Sequence, residues 1–387
     1  MDCCRGISIK GKKPVGNLKK YDGRTLRVKY TQLKTLFISP DQSIREAITC
    51  IDRDRCGIAL VVDKERRLLG TITDGDVRRA ILAGKDLESP ISQLLANKIS
   101  TRYPKPITAQ LGAKRESLLE LLHQNFLRQL PILDNDGKIV DLVMLDDLIP
   151  TQDLPLQAVI MAGGLGTRLR PLTEDLPKPM LPLDGKPLME LVIEQLRQVG
   201  IRRINVTTHY KPEKISDHFG DGSSFGVELN YVNEDRPLGT GGALGLIDVS
   251  TEPMLVINGD ILTKVDFRTM LAYHREHRAI MTVAVKQYDI KVPYGVIECE
   301  GPRVCALREK PQMHFLVNAG VYLIEPKVYE FIPNGEHFNM TDLIQWLLDA
   351  DHIVASFPII EYWLDIGQLE DYEQAQNDMK QQGKLKL

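Results

Sequence analysis

The sequence predicts a doubly wound α/β domain with a mostly parallel sheet, preceded by a tandem α+β repeat. At about 100 to 200 residues per domain, 387 residues suggest two or three domains. Residues 31–150 repeat a helix and a hairpin at a fixed spacing, whereas residues 157–387 alternate strand-like and helix-like patterns. We therefore predict a basic segment at 1–30, the repeat at 31–150 and a larger domain at 157–387.

The composition, with 43% hydrophobic and 26% charged residues, is typical of a globular protein. A disordered chain would contain fewer hydrophobic residues. No apolar stretch approaches the roughly 20 residues that cross a bilayer. The six cysteines lack a Cys-x-x-Cys zinc spacing, and the histidines show no zinc pattern either, so they are expected at the surface or in packing. The N-terminus is basic rather than apolar, which argues against a secretory signal. We expect a cytoplasmic protein with reduced thiols and no membrane partner.

The first 30 residues carry nine Lys or Arg and two Asp. Such a segment could contact nucleic acid or anionic lipid. Because only Tyr21 and Tyr30 accompany the basic residues, a solvated segment is favoured, and we expect no nucleic-acid partner.

The repeat has a spacing of 71 residues, since residues 58–76 align without gaps on residues 129–147 as strand, charged turn, strand and helix start. Upstream, apolar residues at i, i+3, i+4 and i+7 begin at Ile44, and the pattern recurs from Arg115 with its first position changed. Each half alone would leave one face of its sheet exposed to solvent, so we expect the two halves to pack together.

The repeat resembles a tandem pair of cystathionine-β-synthase-type (CBS) domains over residues 33–148. Such pairs usually bind adenine nucleotides, so the resemblance implies an AMP or ATP site in which Thr73 and Asp76 contact ribose and phosphate. The second half has Met144 in place of the threonine, and a thioether is a weak acceptor, although Asp147 remains. At most one good site is implied. Two alternatives stay open: these residues only cap the following helix, or the pair serves dimerisation.

A strand that runs into a glycine cluster opens the larger domain. An apolar strand of four residues runs into Gly163, Gly164 and Gly166, which are followed by Thr167 and Arg168. Glycines let backbone N–H groups turn inward as an anion cradle beside a helix start, and a guanidinium adds a charged fork for phosphate oxygens. The run lacks the Gly-Lys-Ser/Thr of a P-loop and has Leu169 where a dinucleotide fingerprint needs its third glycine. A different kind of phosphate site is predicted.

With Pro171, Thr173, Lys178 and Pro179, the run resembles the signature of sugar-1-phosphate nucleotidyltransferases, and the likeness covers residues 157–376. Members have a doubly wound, Rossmann-like sheet and transfer a nucleoside monophosphate from a nucleoside triphosphate to a sugar-1-phosphate. The resemblance implies that the glycines and Thr167 hold the triphosphate, that Arg168 grips its outer phosphates and that Lys178 bridges the reacting phosphates.

The elements that follow fit such a sheet. An apolar helical stripe begins at Leu188 and stops before Gly200, a good C-cap. Strand-like runs follow at residues 204–208, 227–232 and 254–257, and a polar helix-like segment occupies 370–380. In a mostly parallel sheet, ligands lie at the carboxyl ends of the strands.

Two acids follow apolar strands. Asp260 comes after the run at 254–257, and Asp365 comes after a short apolar run at 362–364. Mg²⁺ prefers one or two carboxylates together with phosphate oxygens. The family pattern implies that both aspartates share Mg²⁺, although either acid alone could cap a turn or a helix.

The remaining ligand positions come from the resemblance. The nucleoside is assigned to a second glycine cluster, Leu238, Gly239, Thr240 and Gly241, for which a flexible loop is the alternative. The sugar phosphate is assigned to Tyr294, Gly295, Glu309, Lys310 and Asn318, since carboxylates and amides bind hydroxyls and a lysine neutralises phosphate. Spacing alone would leave these as solvated surface residues.

Residues 234–243, Glu-x-x-Pro-Leu-Gly-Thr-Gly-Gly-Ala, resemble mannose- and heptose-1-phosphate guanylyltransferases more than the thymidylyl branch. The pairing with a CBS module is similar to glucosamine-1-phosphate guanylyltransferases of bacterial legionaminic acid synthesis. We therefore expect GTP and an amino-sugar phosphate as substrates of a homo-oligomer, with mannose or heptose phosphate, or another nucleotide, as alternatives. A non-catalytic nucleotide sensor is the competing class, and the retained lysines and aspartates argue against it.

Overall fold

The computed structural model describes residues 33–53, 56–98, 103–125, 127–148 and 154–381. The predicted basic segment at 1–30 and residues 149–153 of the predicted connector lie outside the described residues. The strands are β1 Phe37–Ile38, β2 Ile58–Val62, β3 Leu68–Thr73, β4 Ala109–Gln110, β5 Gln129–Leu133, β6 Ile139–Met144, β7 Gln157–Met161, β8 Pro182–Leu183, β9 Lys186–Pro187, β10 Arg203–Thr208, β11 Glu228–Asn233, β12 Met254–Asn258, β13 Ile261–Thr263, β14 Met281–Lys291, β15 Val296–Glu300, β16 Arg303–Arg308, β17 Gln312–Ile324, β18 Val354–Pro358 and β19 Trp363–Asp365. The α-helices are α1 Ile44–Arg53, α2 Asp74–Leu82, α3 Ile91–Lys98, α4 Arg115–Gln124, α5 Leu145–Leu148, α6 Leu188–Gln198, α7 Pro212–Phe219, α8 Gly239–Gly242, α9 Phe267–Glu276, α10 Met340–Asp349 and α11 Leu369–Gln381.

Each half of the N-terminal repeat forms a small sheet, in the order β1-β2-β3 and β4-β5-β6. Ile58 pairs with Thr73 in the first hairpin and Gln129 pairs with Met144 in the second, and both hairpins have an irregularity at the equivalent place. Helices α1 and α4 also occupy equivalent positions. The structure therefore repeats with the predicted spacing of 71 residues, from 58 to 129 and from 73 to 144.

The larger domain is built on a seven-stranded sheet in the order β11-β10-β7-β12-β17-β14-β18. Four of its six neighbouring pairs are parallel, and β17 is antiparallel to both of its neighbours. Ala158 and Ile160 of β7 pack with α6 and α9 on one face, whereas Val159 packs with α10 on the other. Because both faces are covered, the strand is apolar at successive positions. The predicted doubly wound, mostly parallel sheet is confirmed.

Parallel pairing gathers several strand ends at one edge of this sheet. Met161, the last residue of β7, pairs with Asn258, the last residue of β12. The glycine loop after β7 and the turn after β12 therefore lie side by side, and the Gly259 amide donates to the Met161 carbonyl at 2.9 Å. The short β13 then pairs with β19, with Ile261 opposite Asp365. These two ladders position the candidate site.

The helix start predicted after the glycine loop is wrong. Only a three-residue 3₁₀ turn, Thr167–Leu169, follows Gly166, and Arg170 is already extended with φ −60° and ψ 142°. Pro171 explains the difference, since a proline disfavours the α region in the residue before it and cannot donate to a helix ladder.

The repeat packs directly against the larger domain. Ile360 of the larger domain belongs to the apolar core of the first half of the repeat. Arg128 of the second half donates to Asp266 at 2.9 Å and to Thr269 at 2.6 Å. Between the two domains lies a cleft of 1360 Å³ lined by residues of both. Within the described part of the chain, no helix has both the length and the apolar character needed to cross a bilayer.

His274 of α9 is a buried histidine with two partners. Its Nδ1 lies 2.7 Å from Thr282 Oγ1 and its Nε2 lies 3.0 Å from Glu325 Oε1. Burial lowers the pKa of His274 below its usual value, although Glu325 acts in the opposite direction. A packing role for this histidine agrees with the sequence.

We expect His274 to make stability depend on pH. Because its pKa is lower in the folded state, the unfolded chain binds more protons below about pH 6.5. The contribution of His274 to the free energy of unfolding is complete above that pH and is lost as the pH falls through about 6.5 toward the lowered pKa of the folded state. Urea unfolding of His274→Gln should show a shallower loss of stability over this range than wild type, and the exposed His277→Gln should not. Equal slopes in wild type and His274→Gln would contradict this assignment.

Candidate functional site

The glycine loop after β7 is shaped by close contacts. Gly166 has φ +62°, and a Cβ there would lie 3.0 Å from Thr173 Cγ2. Thr173 also donates its hydroxyl to the Gly166 carbonyl at 2.8 Å. A Cβ at Gly163 would collide with Glu234 Oε1, whereas nothing lies near Gly164. The positive φ therefore favours glycine at 166, and a side chain at 163 would displace the Glu234 carboxylate. Thr167 and Arg168 are exposed.

Lys178 is presented to this loop from a second 3₁₀ turn, Lys178–Met180. Its side chain is only 11% exposed, and its Nζ donates to Asp260 Oδ2 at 2.5 Å. A Cβ at Gly166 would lie 3.4 Å from Lys178 Cβ. The structure therefore places this cation between the glycine loop and the predicted metal carboxylate.

The two predicted metal carboxylates are neighbours. The β13–β19 ladder holds them together, and the Ile366 amide donates to the Asp260 carbonyl at 3.1 Å. Loss of surrounding water and then repulsion from Asp260 raise the pKa of Asp365, while Lys178 and Arg168 act to lower it. Four of the predicted residues, from four separate stretches of the chain, thus form one charged cluster.

The donors present fit a hard divalent cation. Asp260 Oδ1 is buried without a hydrogen-bond partner among the described residues, and Asn258 Oδ1, two residues earlier, is in the same state. An orphaned buried carboxylate oxygen is costly unless a ligand satisfies it. Within the described ranges no group of three or more His, Cys, Asp or Glu residues could hold a metal. Two carboxylates with open positions for substrate oxygens are, however, what Mg²⁺ ordinarily takes.

The second glycine cluster has a packing role that the sequence did not indicate. A Cβ at Gly239, Gly241 or Gly242 would lie 2.7, 2.9 or 2.5 Å from atoms of residues 336–339. The amides of Gly241 and Gly242 both donate to the Phe338 carbonyl, and the Met340 amide donates to Thr240 Oγ1 at 3.0 Å. The missing side chains therefore admit a neighbouring segment of this chain, and Leu238 is buried behind them.

Glu234, the first residue of the 234–243 motif, is a buried acid beside the glycine loop. It follows β11, its side chain lies against Gly163, and its Oε2 accepts from the Leu238 amide at 2.9 Å. Burial raises its pKa, while the Leu238 amide and His209 oppose that shift. Glu234 is buried although the three residues that follow it are exposed, and only the folded structure reveals this.

The residues predicted to bind the sugar phosphate lie mainly at the base of the β15–β16 hairpin. The Lys310 amide donates to the Tyr294 carbonyl at 3.2 Å, and a Cβ at Gly295 would lie 3.0 Å from Glu309 Oε2. Two pairs of adjacent residues, 294–295 and 309–310, are thus brought together, and all four residues are exposed. Asn318 lies apart from them on β17, where its Oδ1 accepts from the Gly320 amide at 3.0 Å.

Thr73 and Asp76 cap α2. The amide and the hydroxyl of Thr73 donate to Asp76 Oδ2 at 2.8 and 2.9 Å. Lys98 and Arg79 also donate to Asp76, at 2.6 and 2.8 Å. Burial opposes ionisation, yet Lys98 in particular holds the pKa of Asp76 below its usual value. Both residues also line the cleft between the domains, so their effector role stays a prediction.

Comparison with known proteins agrees with both motif-based resemblances. Residues 157–382 match the family model described as nucleotidyl transferase, and residues 32–83 and 98–151 match the CBS domain model. The chain is 34% identical over 231 residues to a mannose-1-phosphate guanylyltransferase from Mycobacterium tuberculosis, covering 58% of this chain and 64% of that protein. It is also 34% identical over 241 residues to a UTP–glucose-1-phosphate uridylyltransferase from Synechocystis, covering 57% and 62%.

A D-glycero-α-D-manno-heptose 1-phosphate guanylyltransferase from Aneurinibacillus thermoaerophilus is 34% identical over 231 residues, covering 58% of this chain and 99% of that protein. The chain thus spans less than two thirds of the first two relatives and nearly all of the third.

We expect Asp260 to be a ligand for divalent metal. Titration of the full chain with Mn²⁺, followed by its electron paramagnetic resonance signal, should show a site whose affinity falls about tenfold or more in Asp260→Asn. The exposed Glu370→Gln is the matched control and should bind as wild type does. The same affinity in wild type and Asp260→Asn would exclude Asp260 as a ligand.

Proposed function

The chain belongs to the nucleotidyl transferase family, and from that membership we propose that it transfers a nucleoside monophosphate from a nucleoside triphosphate to a sugar-1-phosphate and releases pyrophosphate. One observation carries the proposal: Lys178, Arg168, Asp260 and Asp365 converge beside the glycine loop. This cluster combines fixed cations with a pair of carboxylates, which suits the joining of two polyanions.

The proposed reaction is an in-line displacement. An oxygen of the sugar phosphate forms a bond to the α-phosphorus, the bond from the α-phosphorus to the bridging oxygen breaks, and the electron pair leaves with pyrophosphate. The nucleophile is already an anion near neutral pH, so no general base is needed. Two unit charges 4 Å apart repel by about 4 kcal/mol at an effective dielectric constant of 20. Neutralisation and alignment must therefore supply the catalysis.

Each residue of the cluster would help to neutralise or align the phosphates. The amides of the glycine loop and Thr167 hold the triphosphate, and Arg168 neutralises its outer phosphates. Lys178 would bridge the reacting phosphates, and its ion pair with Asp260 orients its side chain. Asp260 and Asp365 would hold Mg²⁺, which neutralises phosphate oxygens when it is bound.

We assign guanine as the base on the chemistry of Glu234. The Watson–Crick edge of guanine presents two neighbouring donors, whereas uracil and thymine present one donor between two acceptors. An ionised carboxylate only accepts, so it matches guanine. Glu234 lies beside the glycine loop and holds the Leu238 amide of the nucleoside segment. Two relatives named as guanylyltransferases support the same nucleotide.

The sugar phosphate would bind at the base of the β15–β16 hairpin. Lys310 can neutralise the phosphate, and Glu309 offers a carboxylate that could pair with the ammonium group of an amino sugar. We therefore propose glucosamine-1-phosphate as the acceptor, with mannose and heptose phosphates as the competing acceptors that two relatives' names suggest. Adenine nucleotides at Thr73 and Asp76 would act as effectors, and the cleft beside those residues has room for them.

A substrate grid tests the proposed function. Four nucleoside triphosphates are each combined with glucosamine-, mannose-, heptose- and glucose-1-phosphate and Mg²⁺, with AMP or ATP added in parallel, and pyrophosphate release is measured. We expect turnover with GTP, and a loss of at least about 100-fold in Lys178→Met with unchanged circular dichroism. Exposed Lys327→Met is the control. Nucleotide binding without turnover in any combination would favour a sensor instead.

The assignment of guanine as the base can be tested with Glu234→Gln. The amide keeps an acceptor for the Leu238 amide but replaces one carboxylate oxygen with a donor, so it should favour uracil or thymine over guanine. We expect the ratio of kcat/KM for GTP to that for UTP to fall by about tenfold or more. Asp235→Asn, an exposed change in the same loop, should leave the ratio unchanged. A wild-type ratio in Glu234→Gln would show that Glu234 does not read the base.

A further inference from the structure

Arg78 connects the N-terminal repeat to a segment that leads into the charged cluster. It lies on α2, yet its guanidinium ends in the larger domain, where it donates to the Pro358 carbonyl and, at 2.8 Å, to Glu361 Oε1. It also donates to Asp74 at 3.2 Å, and its guanidinium carbon lies 3.9 Å from the centre of the Phe357 ring. With 1% of its side chain exposed, Arg78 is among the most buried large side chains of the described residues.

Residues 358–361, which we call the linking segment, are held from both sides. On the side of the repeat, Arg78 holds two of the four residues, and Ile360 packs into the apolar core of the first half. On the side of the larger domain, Lys286 Nζ donates to the carbonyls of Ile359 and Glu361 at 3.3 and 3.0 Å. The position of the linking segment therefore depends on both domains.

The linking segment continues into β19 through a single residue, Tyr362. The Tyr362 carbonyl accepts from Thr263 Oγ1 and from the Lys264 amide, both at 3.0 Å. Asp365 follows three residues later, at the end of β19. Only Tyr362, Trp363 and Leu364 separate Glu361 from Asp365, and the last two of them are paired with β13. A shift of the linking segment would therefore be passed on to Asp365.

Removal of Arg78 would leave its acidic partners without compensation. Asp74 and Glu361 contact the same guanidinium nitrogen, so their carboxylates are close together. The pKa of Asp74 is raised to about 6, mainly by burial and also by Glu361, while Arg78 acts to lower it. Breaking a buried ion pair from one side costs more than the intact pair contributes, because the remaining charge is left desolvated. Without Arg78 the two acids must take up protons or move apart.

We propose that Arg78 is a positioning residue of the transfer reaction: it holds the linking segment and thereby sets Asp365 against Asp260. The inference rests on the proposed function, since it gives the N-terminal repeat a part in forming the metal site. Asp74 and Glu361 also line the cleft between the domains. A ligand that contacts these carboxylates would act on the metal site through the same link.

The test compares Arg78→Met with wild type in the full chain. The affinity for Mn²⁺ alone, measured by electron paramagnetic resonance, should fall about tenfold, a typical size for coupling between separate sites. The Mg²⁺ concentration that gives half-maximal turnover should rise by a similar factor, whereas KM for the sugar phosphate should stay unchanged. Arg78→Lys keeps the charge and should restore part of the affinity. The control is Arg45→Met, which removes a 53% exposed arginine and its pair with Glu88 in the repeat.

Each outcome bears on the proposal. Wild-type Mn²⁺ affinity in Arg78→Met overturns it and shows that Lys286 and Thr263 suffice to hold the segment. If Arg78→Met does not fold, Glu361→Gln replaces it, because it keeps the size and one acceptor oxygen; a lower affinity supports the proposal and an unchanged one overturns it. Asp260→Asn separates the two levels of inference. If Asp260→Asn and Arg78→Met both bind Mn²⁺ as wild type does, the metal role in the proposed function fails. If Asp260→Asn loses affinity for Mn²⁺ and Arg78→Met does not, only the role of Arg78 is overturned.

Discussion

Repulsion between two neighbouring carboxylates is the constraint on which the rest of the site depends. Asp260 and Asp365 are brought together by the β13–β19 ladder, and the pKa of Asp365 is raised as a result of lost solvent and of this repulsion. Such an arrangement is stable only when positive charge lies nearby, and Lys178 and Arg168 supply it. A site that gathers both signs of charge before substrate arrives needs little rearrangement when phosphates enter.

The N-terminal repeat is connected to this pair of carboxylates, because one stretch of chain contacts the repeat and then leads to Asp365. Residues 358–361 contribute an apolar side chain to the core of the repeat and two acceptors to Arg78, and they then run into the strand that ends in Asp365. The cleft between the domains lies beside the same acids. An N-terminal module that packs in this way can influence chemistry without contacting the substrates.

The sequence predicted most of the architecture because its signals are local and periodic. The 71-residue spacing reappears in the strand register, and the strands at 204–208, 227–232 and 254–257 agree with β10, β11 and β12 within a residue at each end. The helix start after Gly166 failed because Pro171 overrides the glycine signal. The second glycine cluster was assigned to a ligand, yet its small residues admit Phe338 and Asn339, which lie about 100 positions away in the chain.

By itself, the sequence determined which residue types are available: a glycine loop followed by cations, two acids after apolar strands, and a repeat with one complete Thr and Asp pair. Only the tertiary structure decided which of them meet. The contact between Lys178 and Asp260, the burial of Glu234 and the insertion of Arg78 into the larger domain all join distant stretches of chain. Local periodicity reports the face that a residue occupies, but the desolvation and charge pairing that set its chemistry come from neighbours that only the folded chain supplies.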